Sequence, residues 1–249
     1  MIPTALPARP ATLTATTAAA LAALLALTGC SPDGSGKDAK GDGSATAQPG
    51  SALAAVASLP VKGRAPKTGY ARNRFGSAWA DTDGNGCGTR DDILKRDLRA
   101  PSFRGGDCVV VAGTLEKDPY TGESVRYRRG SSKVDIDHVV ALSDAWQKGA
   151  AKWPARKRIA LANDPLNLIA VDASANRQKS DGDAATWLPA YKGYRCTYVA
   201  HQVAVKKKYG LWVTQGERDA MRKVLDTCPQ EKLPGGGSPT EAPARFSAK

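Results

Sequence analysis

The amino-acid sequence predicts an α+β domain in which short strands and helices share one core. The strand-like runs are CVVVAGTLE (108–116), VDIDHVVAL (134–142) and LNLIAV (166–171), each short and rich in β-branched or other apolar residues. The segments between and after these runs carry apolar residues at helical spacing. At 249 residues, the chain is long enough for one domain with a substantial core, or at most two small ones.

The predicted helices follow in chain order. RDDILKRDLRA (90–100) precedes the first strand-like run, and SDAWQKGAAKW (143–153) and PARKRIALAN (154–163) lie between the second and the third. The helix after the third run begins in SANRQK, with Ser174 as the expected N-cap. Two further helices are predicted in RCTYVAHQVAVKKKYG and TQGERDAMRKVLDTC. We expect lysines 206–208 to form a solvated helix face and the tryptophans to anchor the core.

The first 29 residues predict an export signal and not a part of the fold. A single basic residue, Arg9, is followed by an Ala/Leu-rich run that is too short for a comfortable membrane span. The run closes with Leu27-Thr28-Gly29-Cys30, which resembles the box of bacterial lipoproteins, in which the cysteine thiol is acylated. We therefore expect a lipid on Cys30 that anchors the protein to the outer face of the plasma membrane. The alternative is an ordinary cleaved signal, which would release a secreted protein.

Two segments predict flexible chain on either side of a folded domain at residues 66–230. Residues 30–65 consist mainly of Gly, Ser, Ala, Asp and Lys with few large apolar side chains, so we expect a linker there. Residues 231–249 have a similar composition and predict a disordered tail. Most of the formal net charge of +12 falls on residues 66–230, so the basic surface belongs to the folded domain.

Four cysteines remain when Cys30 is set aside: Cys87, Cys108, Cys196 and Cys228. An even number in a chain that is expected to leave the cytosol indicates disulfides. Three pairings are possible. Closeness in sequence favours Cys87 with Cys108 and Cys196 with Cys228, each adding about 3 kcal/mol of stability. A zinc site is the alternative, but no two of these cysteines have the short C-x₂₋₄-C spacing of a zinc ribbon.

The charge balance of the chain is strongly basic. Lys and Arg outnumber Asp and Glu by 36 to 24, and the pI is near 9.6. This suits a protein that meets a polyanion such as nucleic acid, teichoic acid or an acidic lipid surface, and no protein partner is predicted. A basic cluster before the second strand-like run, with Arg177 further on, is expected to contact a nucleic-acid backbone, although an ordinary solvated surface is the alternative. The cluster consists of Arg126, Arg128, Arg129 and Lys133.

One of the two histidines, His138, directly follows an aspartate inside the second strand-like run. Alone, such a histidine is more often a hydrogen-bonded core residue. The third run, however, carries Asn167, and the helix after it carries Asn176 in its first turns. An imidazole can take a proton from water near neutral pH, and the oxygens of Asp137 and Asn176 are hard ligands for Mg²⁺ or a similar ion such as Mn²⁺. Together these groups suit the hydrolysis of a phosphodiester.

These residues lie in three short motifs whose order resembles a known nuclease family. The motifs DH, NL and NRQK resemble those of the HNH nucleases of the ββα-metal type, and NRQKSD is similar to the corresponding helix of RNA-guided CRISPR nucleases. The wider runs VDIDHVVALSDAW, ANDPLNLIAV and NRQKSDGDAATWLP resemble the secreted actinobacterial branch related to the C-terminal domain of the GmrSD restriction enzymes, a DUF1524-like domain. The resemblance covers roughly residues 70–228 and is most specific over 135–188.

The resemblance implies a ββα-metal core with additional helices, acting on DNA or RNA. His138 would be the general base, Asp137 and Asn176 the metal ligands, and Asn167 would hold the loop between the strands and orient the histidine. Lys179, on the same helix face as Asn176, could neutralise a phosphate. Two features depart from the family. Its CxxC zinc pairs are absent, so disulfides must brace the domain, and Asp137 and His138 can reach one site only if their strand ends or bulges there.

Two other functions are compatible with the same residues. The first is a non-catalytic extracellular binding module on an HNH scaffold, which would attach to DNA or to an anionic cell-wall polymer. The second is a cell-wall hydrolase that uses Asp135 and Asp137 as its acid and base. Equal exposure of these two strand positions argues against the separation of pKa values that such chemistry needs.

A second set of oxygen ligands lies in DTDGNGCGTRDD (81–92). Asp81, Asp83, Asn85 and Asp92 occupy positions one, three, five and twelve of an EF-hand-like loop with glycine at position six, which predicts a structural Ca²⁺. Position twelve is usually a glutamate, and Asp92 is shorter. The alternative is a Gly-rich turn that a disulfide ties down ahead of a helix.

Overall fold

The computed structural model describes residues 47–130 and 133–248, and these ranges form the predicted α+β fold. The predicted signal, Cys30 and the first part of the predicted linker lie outside the described residues. No helix within the described ranges is both long enough and apolar enough to cross a membrane. The elements in chain order are α1 (Ala52–Ala57), α2 (Thr89–Asp97), β1 (Arg99–Arg104), β2 (Val109–Leu115), β3 (Val125–Arg128), β4 (Val134–His138), α3 (Leu142–Gln147), α4 (Ala155–Asn163), β5 (Leu168–Asp172), α5 (Ala173–Lys179), α6 (Arg195–Tyr209) and α7 (Gln215–Leu225).

The strands of the described chain form two antiparallel sheets. β1, β2 and β3 form the first in that order, and β4 pairs with β5 in the second. The β4–β5 register runs without a shift from Val134 opposite Asp172 to His138 opposite Leu168. α5 follows β5 directly and packs on both of these strands. Two antiparallel strands and the helix after them therefore form a ββα unit, with α3 and α4 in the connection between the strands.

The buried apolar side chains form three groups that meet at the end of β4. Ile136 belongs to the group that packs α2 against the sheets. Val139 belongs to the group around Tyr198, where α1, α6 and α7 meet. Val140 belongs to the group around Trp146, which joins α3, α4 and another side of α6. Because each fully buried aliphatic side chain contributes about 1.5–3 kcal/mol, the end of β4 is held firmly from three directions.

Two disulfides brace the domain, and both predicted pairings are confirmed. Cys87 pairs with Cys108 at a Cα–Cα distance of 5.1 Å and joins the loop before α2 to the start of β2. Cys196 pairs with Cys228 at 6.4 Å and joins the first turn of α6 to the chain after α7. Each crosslink joins segments that lie 21 or 32 residues apart in the sequence, which is the bracing that the absent zinc pairs would otherwise supply.

The last part of the predicted linker is ordered, which differs from the expectation for residues 30–65. Residues 52–57 form α1, where the Ser51 hydroxyl accepts a hydrogen bond from the Ala54 backbone N–H at 3.2 Å as N-cap. Leu53, Val56 and Leu59 are buried against α6 and α7. Leu53 and Val56 lie three residues apart on one face of α1, and Leu59 follows just after the helix, so the segment has an apolar side although its composition is linker-like.

The C-terminal segment also differs from the predicted disordered tail at residues 231–249. Ala242 is buried, and its backbone carbonyl accepts a hydrogen bond from the Arg156 guanidinium at 2.7 Å. Further back, the Ser238 backbone N–H donates to the Asp164 carboxylate at 3.1 Å. Residues 231–248 therefore follow the surface of the domain along α4. Their Gly- and Pro-rich composition favours an extended path without regular structure, and this path still makes specific polar contacts.

A buried network of charges occupies the space between α3, α6 and α7. Lys206, which was expected in a solvated face, is fully buried with its Nζ 3.0 Å from Asp144 Oδ2 and 2.9 Å from Glu217 Oε1. Lys148 Nζ lies 2.6 Å from both of these acids and 2.8 Å from Asp183. Burial opposes the charge on Lys206, but the two carboxylates raise the pKa of its ammonium above its ordinary value. The lysine run alone does not indicate that Lys206 is buried, because its carboxylate partners, Asp144 and Glu217, belong to other helices.

Candidate functional site

The side chain of Asn167 fixes the loop that follows β4. The backbone N–H groups of Val139 and Val140 donate to the Asn167 carbonyl and to its side-chain oxygen, both at 2.8 Å. The side-chain nitrogen donates to the carbonyls of Val140 and Leu161 at 3.3 Å. The fully buried amide therefore continues the pairing where the strand ends and ties the loop to α4.

His138 is the last residue of β4, and its ring reaches the end of α4. Its Nε2 lies 2.9 Å from the Ala162 carbonyl oxygen. A carbonyl only accepts, so Nε2 carries the hydrogen and Nδ1 keeps a lone pair. Burial lowers the pKa of His138 to about 3, with the Ala162 carbonyl acting in the opposite direction. The imidazole is therefore neutral at physiological pH and has one nitrogen able to accept a proton.

Asp137 is a buried residue in the wall of the site, and two side chains hold its carboxylate in place. Its Oδ2 accepts a hydrogen bond from the Tyr120 hydroxyl at 2.5 Å and lies 2.9 Å from the Lys179 ammonium, which also reaches Oδ1 at 3.1 Å. Burial raises the pKa of Asp137, although Lys179 and Tyr120 favour its charged form. Tyr120 lies in the loop before β3, and the sequence gave no sign that it belongs to the site.

Lys179 does not have the exposed position that its predicted contact with a phosphate requires. Its side chain is buried, and its Nζ binds the Asp137 carboxylate and the His138 backbone carbonyl, the latter at 2.9 Å. The spacing of three residues placed it on one helix face with Asn176. That face packs on β4, however, so the Lys179 side chain is buried in the domain. Lys179 therefore holds the two residues at the end of β4 in place.

Asn176 is half-buried near the start of α5. The Asp172 carboxylate caps this helix by accepting from the backbone N–H groups of Ser174 and Ala175 at 2.9 Å, so Asp172 and not Ser174 is the N-cap. The Asn176 side-chain nitrogen donates to Asp135 Oδ2 at 3.2 Å. This contact leaves the amide oxygen without a hydrogen bond in the described part of the chain.

A cavity of about 210 Å³ brings the predicted site residues together. Asp137, His138 and Asn176 all contribute to its wall. The wall also contains Arg72, from the 3₁₀ helix Arg72–Phe75, and Asp181, which follows α5. Because β4 ends at His138, neighbouring strand residues reach one cavity without a bulge. The sequence motifs did not indicate Arg72, which is far from them along the chain.

Two oxygen donors of this cavity are of the chemical kind that a divalent metal ion binds. Asp137 offers a carboxylate and Asn176 an amide oxygen, and Mg²⁺ commonly takes one or two protein oxygens and completes its shell with water and substrate phosphates. Within residues 47–130 and 133–248, no group of three or more His, Cys, Asp or Glu side chains is placed to hold a metal. An ion at this place would share the Asp137 carboxylate with Lys179 and Tyr120, and metal binding stays a prediction.

The predicted nucleic-acid-binding residues fall into two groups. Arg126 and Arg128 lie on the same exposed side of β3 and line a groove of about 550 Å³ together with Lys133. Arg177 is exposed on α5. Arg129 is different, because its guanidinium binds the Asp91 carboxylate and the Val110 carbonyl. It joins β3 to its neighbours and is not free to contact a phosphate.

The predicted calcium loop brings its side chains close together. The Asp81 carboxylate accepts hydrogen bonds from the backbone N–H groups of residues 84–86 at 2.7–3.1 Å. The Asn85 amide donates to Asp83 at 3.2 Å and to Asp92 at 3.0 Å. Burial raises the pKa of Asp92. These contacts satisfy the loop internally, and Ca²⁺ binding stays a prediction.

Comparison with known proteins places these residues in a recognised family. The family described as GmrSD restriction endonucleases, C-terminal domain, matches residues 88–224, which is more than half of the chain and includes all the cavity residues except Arg72 and Tyr70. The chain is also 38% identical over 175 residues to an "Uncharacterized secreted protein" of Arthroderma benhamiae. That match covers 70% of this chain and 82% of the relative. No solved structure matches the chain significantly.

Proposed function

Because the chain belongs to the GmrSD restriction endonuclease C-terminal domain family, we propose that it is an extracytoplasmic HNH endonuclease that needs a divalent metal. We infer that it hydrolyses phosphodiester bonds in DNA or RNA and that it belongs to the secreted actinobacterial branch its motifs resemble. One observation carries the proposal. Asp137, His138 and Asn176 converge on a single cavity at the end of a ββα unit.

His138 is the general base in this proposal. Its Nδ1 takes the proton of the attacking water, while Nε2–H stays on the Ala162 carbonyl and helps to stabilise the charged ring that forms. Asn167 holds the loop and the end of α4 that present this carbonyl. The imidazole is thus aligned by hydrogen bonds that exist before substrate arrives.

Asp137 and Asn176 would hold the metal ion, with Mg²⁺ or Mn²⁺ as the candidates. When bound, such an ion offsets charge on the scissile phosphate and on the leaving oxygen. Asp135 orients the Asn176 amide so that its oxygen faces away from the carboxylate. Tyr120 and Lys179 fix the position of Asp137 through contacts with its carboxylate. Arg126, Arg128, Lys133 and Arg177 offer exposed positive charge for the substrate backbone.

Digestion of plasmid DNA and of structured RNA, each with Mg²⁺ and with EDTA, tests the proposal directly. We expect cleavage of at least one substrate with Mg²⁺ and none with EDTA. A non-catalytic binding module would instead bind nucleic acid or wall polymer in both conditions and cleave neither substrate. That result would contradict the nuclease assignment.

Substitution of Asn176 tests the metal ligand. Asn176→Ala is expected to lower cleavage by about 100-fold or to demand much more Mg²⁺, since it removes a metal-ligand oxygen. The side chain is half-buried, so the melting temperature should change little. Gln178→Ala, an exposed position on the same helix, is the matched control and should cleave like the wild type. An Asn176→Ala variant with the wild-type Mg²⁺ dependence would exclude this residue as a ligand.

Export and lipid attachment are proposed from residues outside the described ranges. We infer a signal at residues 1–29 and acylation of Cys30, and the secreted relative in Arthroderma benhamiae agrees with export. Cys30→Ser should move the protein from the membrane fraction to the medium, because the site of the lipid is lost. Fractionation of cells that express both forms measures this shift. An unchanged distribution would favour an ordinary secretory signal.

A further inference from the structure

A second cavity lies next to His138, separate from the one that holds the proposed metal ligands. Its volume is about 220 Å³, and its wall includes Phe75, Trp79, Leu142 and Asn163. His138 contributes to the walls of both cavities. The volume is below the roughly 300–1,000 Å³ of pockets for drug-sized ligands, so the cavity suits one planar ring system.

Asn163 lines this cavity and carries a side-chain oxygen that accepts no hydrogen bond from the described residues. The residue is 2% exposed, and its side-chain nitrogen donates to the Ile159 carbonyl at 3.0 Å. Its side-chain oxygen is buried and has no hydrogen-bond partner in the described chain. A buried acceptor without a donor costs about 1–3 kcal/mol. A ligand N–H group that reached this oxygen would supply the missing donor.

Trp79 supplies an aromatic surface to the same cavity. Its ring lies nearly parallel to the His138 imidazole, at an interplanar angle of 12° and a centroid distance of 6.1 Å. Its backbone has φ of 59°, a conformation that bulky residues rarely adopt and that is concentrated at functional sites. The ring is only half-buried. Trp79 was expected to be a core anchor, and it packs at the edge of the apolar group around α2 while also lining the cavity.

Arg72 connects the two cavities. Its side chain is exposed and contributes to both walls. A guanidinium in this position can bind a phosphate oxygen while the attached nucleoside enters the second cavity. The two cavities thus share Arg72 as well as His138.

We propose that the second cavity is a subsite for an unpaired nucleobase adjacent to the scissile phosphate. The base would stack in the cavity beside Trp79, and a turn of the Asn163 amide toward the cavity would let its oxygen accept an N–H group of the base. A base in a duplex uses these edge groups for pairing, so only single-stranded, looped or flipped-out nucleotides fit. This inference rests on the proposed nuclease function and adds a preference for unpaired substrate.

Binding measured on the whole protein in EDTA tests the subsite without cleavage. The probes are a short single-stranded oligonucleotide, an abasic strand of the same length and charge, and a strand with one 2-aminopurine, whose fluorescence falls on stacking. The wild type should bind the base-containing strand about tenfold more tightly than the abasic strand, as expected from one stacked base. It should also quench the 2-aminopurine.

Two variants locate the effect in the cavity. Trp79→Leu removes the aromatic surface, and Ala78→Phe fills the cavity from an exposed position that does not disturb the core. Both should lose the quenching and the preference for bases, while Trp79→Phe should retain most of it. Trp153→Leu is the control, because Trp153 stacks on Tyr209 away from this cavity.

The outcomes separate this inference from the function on which it rests. Equal binding of intact and abasic strands by the wild type would overturn the subsite, as would unchanged base preference in Ala78→Phe. Metal-dependent cleavage could persist in either case. Base-dependent binding without cleavage of any nucleic acid in Mg²⁺ would support the subsite and contradict the nuclease function.

Discussion

Replacement of His138 by alanine is expected to lower the rate of nucleic-acid cleavage by about 100-fold or more, because it removes the proposed general base. Binding of the substrate backbone should survive, since the exposed basic residues Arg126, Arg128 and Lys133 do not contact this side chain in the structure. The measurement is single-turnover cleavage with saturating Mg²⁺, together with the affinity for the same substrate in EDTA.

The second histidine provides the matched control for this experiment. His201 lies half-buried on α6, with Nδ1 3.4 Å from the Leu166 carbonyl, and it contributes to neither cavity beside His138. His201→Ala should therefore cleave at nearly the wild-type rate. Wild-type activity in His138→Ala would rule out the proposed base. Equal losses in both variants, with lowered melting temperatures, would point to a structural effect.

Lys148→Met is expected to lower the free energy of unfolding by about 3–5 kcal/mol, the usual cost of breaking a buried ion network by removing one partner. The Lys148 ammonium is fully buried and lies within 2.8 Å of Asp144, Asp183 and Glu217. Lys206 remains beside Asp144 and Glu217, but within the described residues the partly exposed Arg64 would be the one cation left beside Asp183. The three carboxylates would thus share less positive charge in a buried space.

Urea unfolding of Lys148→Met beside Lys152→Met measures this effect. Lys152 is exposed, so its substitution should change the free energy of unfolding by less than about 0.5 kcal/mol. If both variants unfold at the wild-type urea concentration, the network does not contribute to stability. This prediction concerns the fold alone and does not depend on the proposed activity.

The sequence was most informative where short motifs carry specific polar residues. The motifs DH, NL and NRQK form an uncommon combination at a recognisable spacing. They were enough to name Asp137, His138, Asn167 and Asn176. Their partners could not be named in the same way. Tyr120 comes from a loop and Arg72 from a short 3₁₀ helix, both outside the motifs, and neither segment carries a periodicity that predicts where a side chain will point.

Helical spacing predicted which residues share a helix face, but it did not predict whether that face is buried or exposed. Lys179 and Lys206 were both placed on helices with reasonable accuracy, and both were expected to be exposed because lysine usually is. Each is buried, since each meets carboxylates from distant segments. Similarly, Leu53, Val56 and Leu59 lie in a segment of low-complexity composition that masked the apolar face of α1. Burial of charge depends on tertiary partners, which a local pattern does not reveal.

The two disulfides link the stability of the domain to the compartment in which it resides. In a reducing cytosol the four cysteines would stay as thiols, and each missing crosslink would lower stability by about 3 kcal/mol. If the chain is exported, as we propose, it becomes fully braced only after it has left the cell. For a nuclease, this order of events favours the producing organism, because the enzyme is least stable while it is near the genome and transcripts of its own cell.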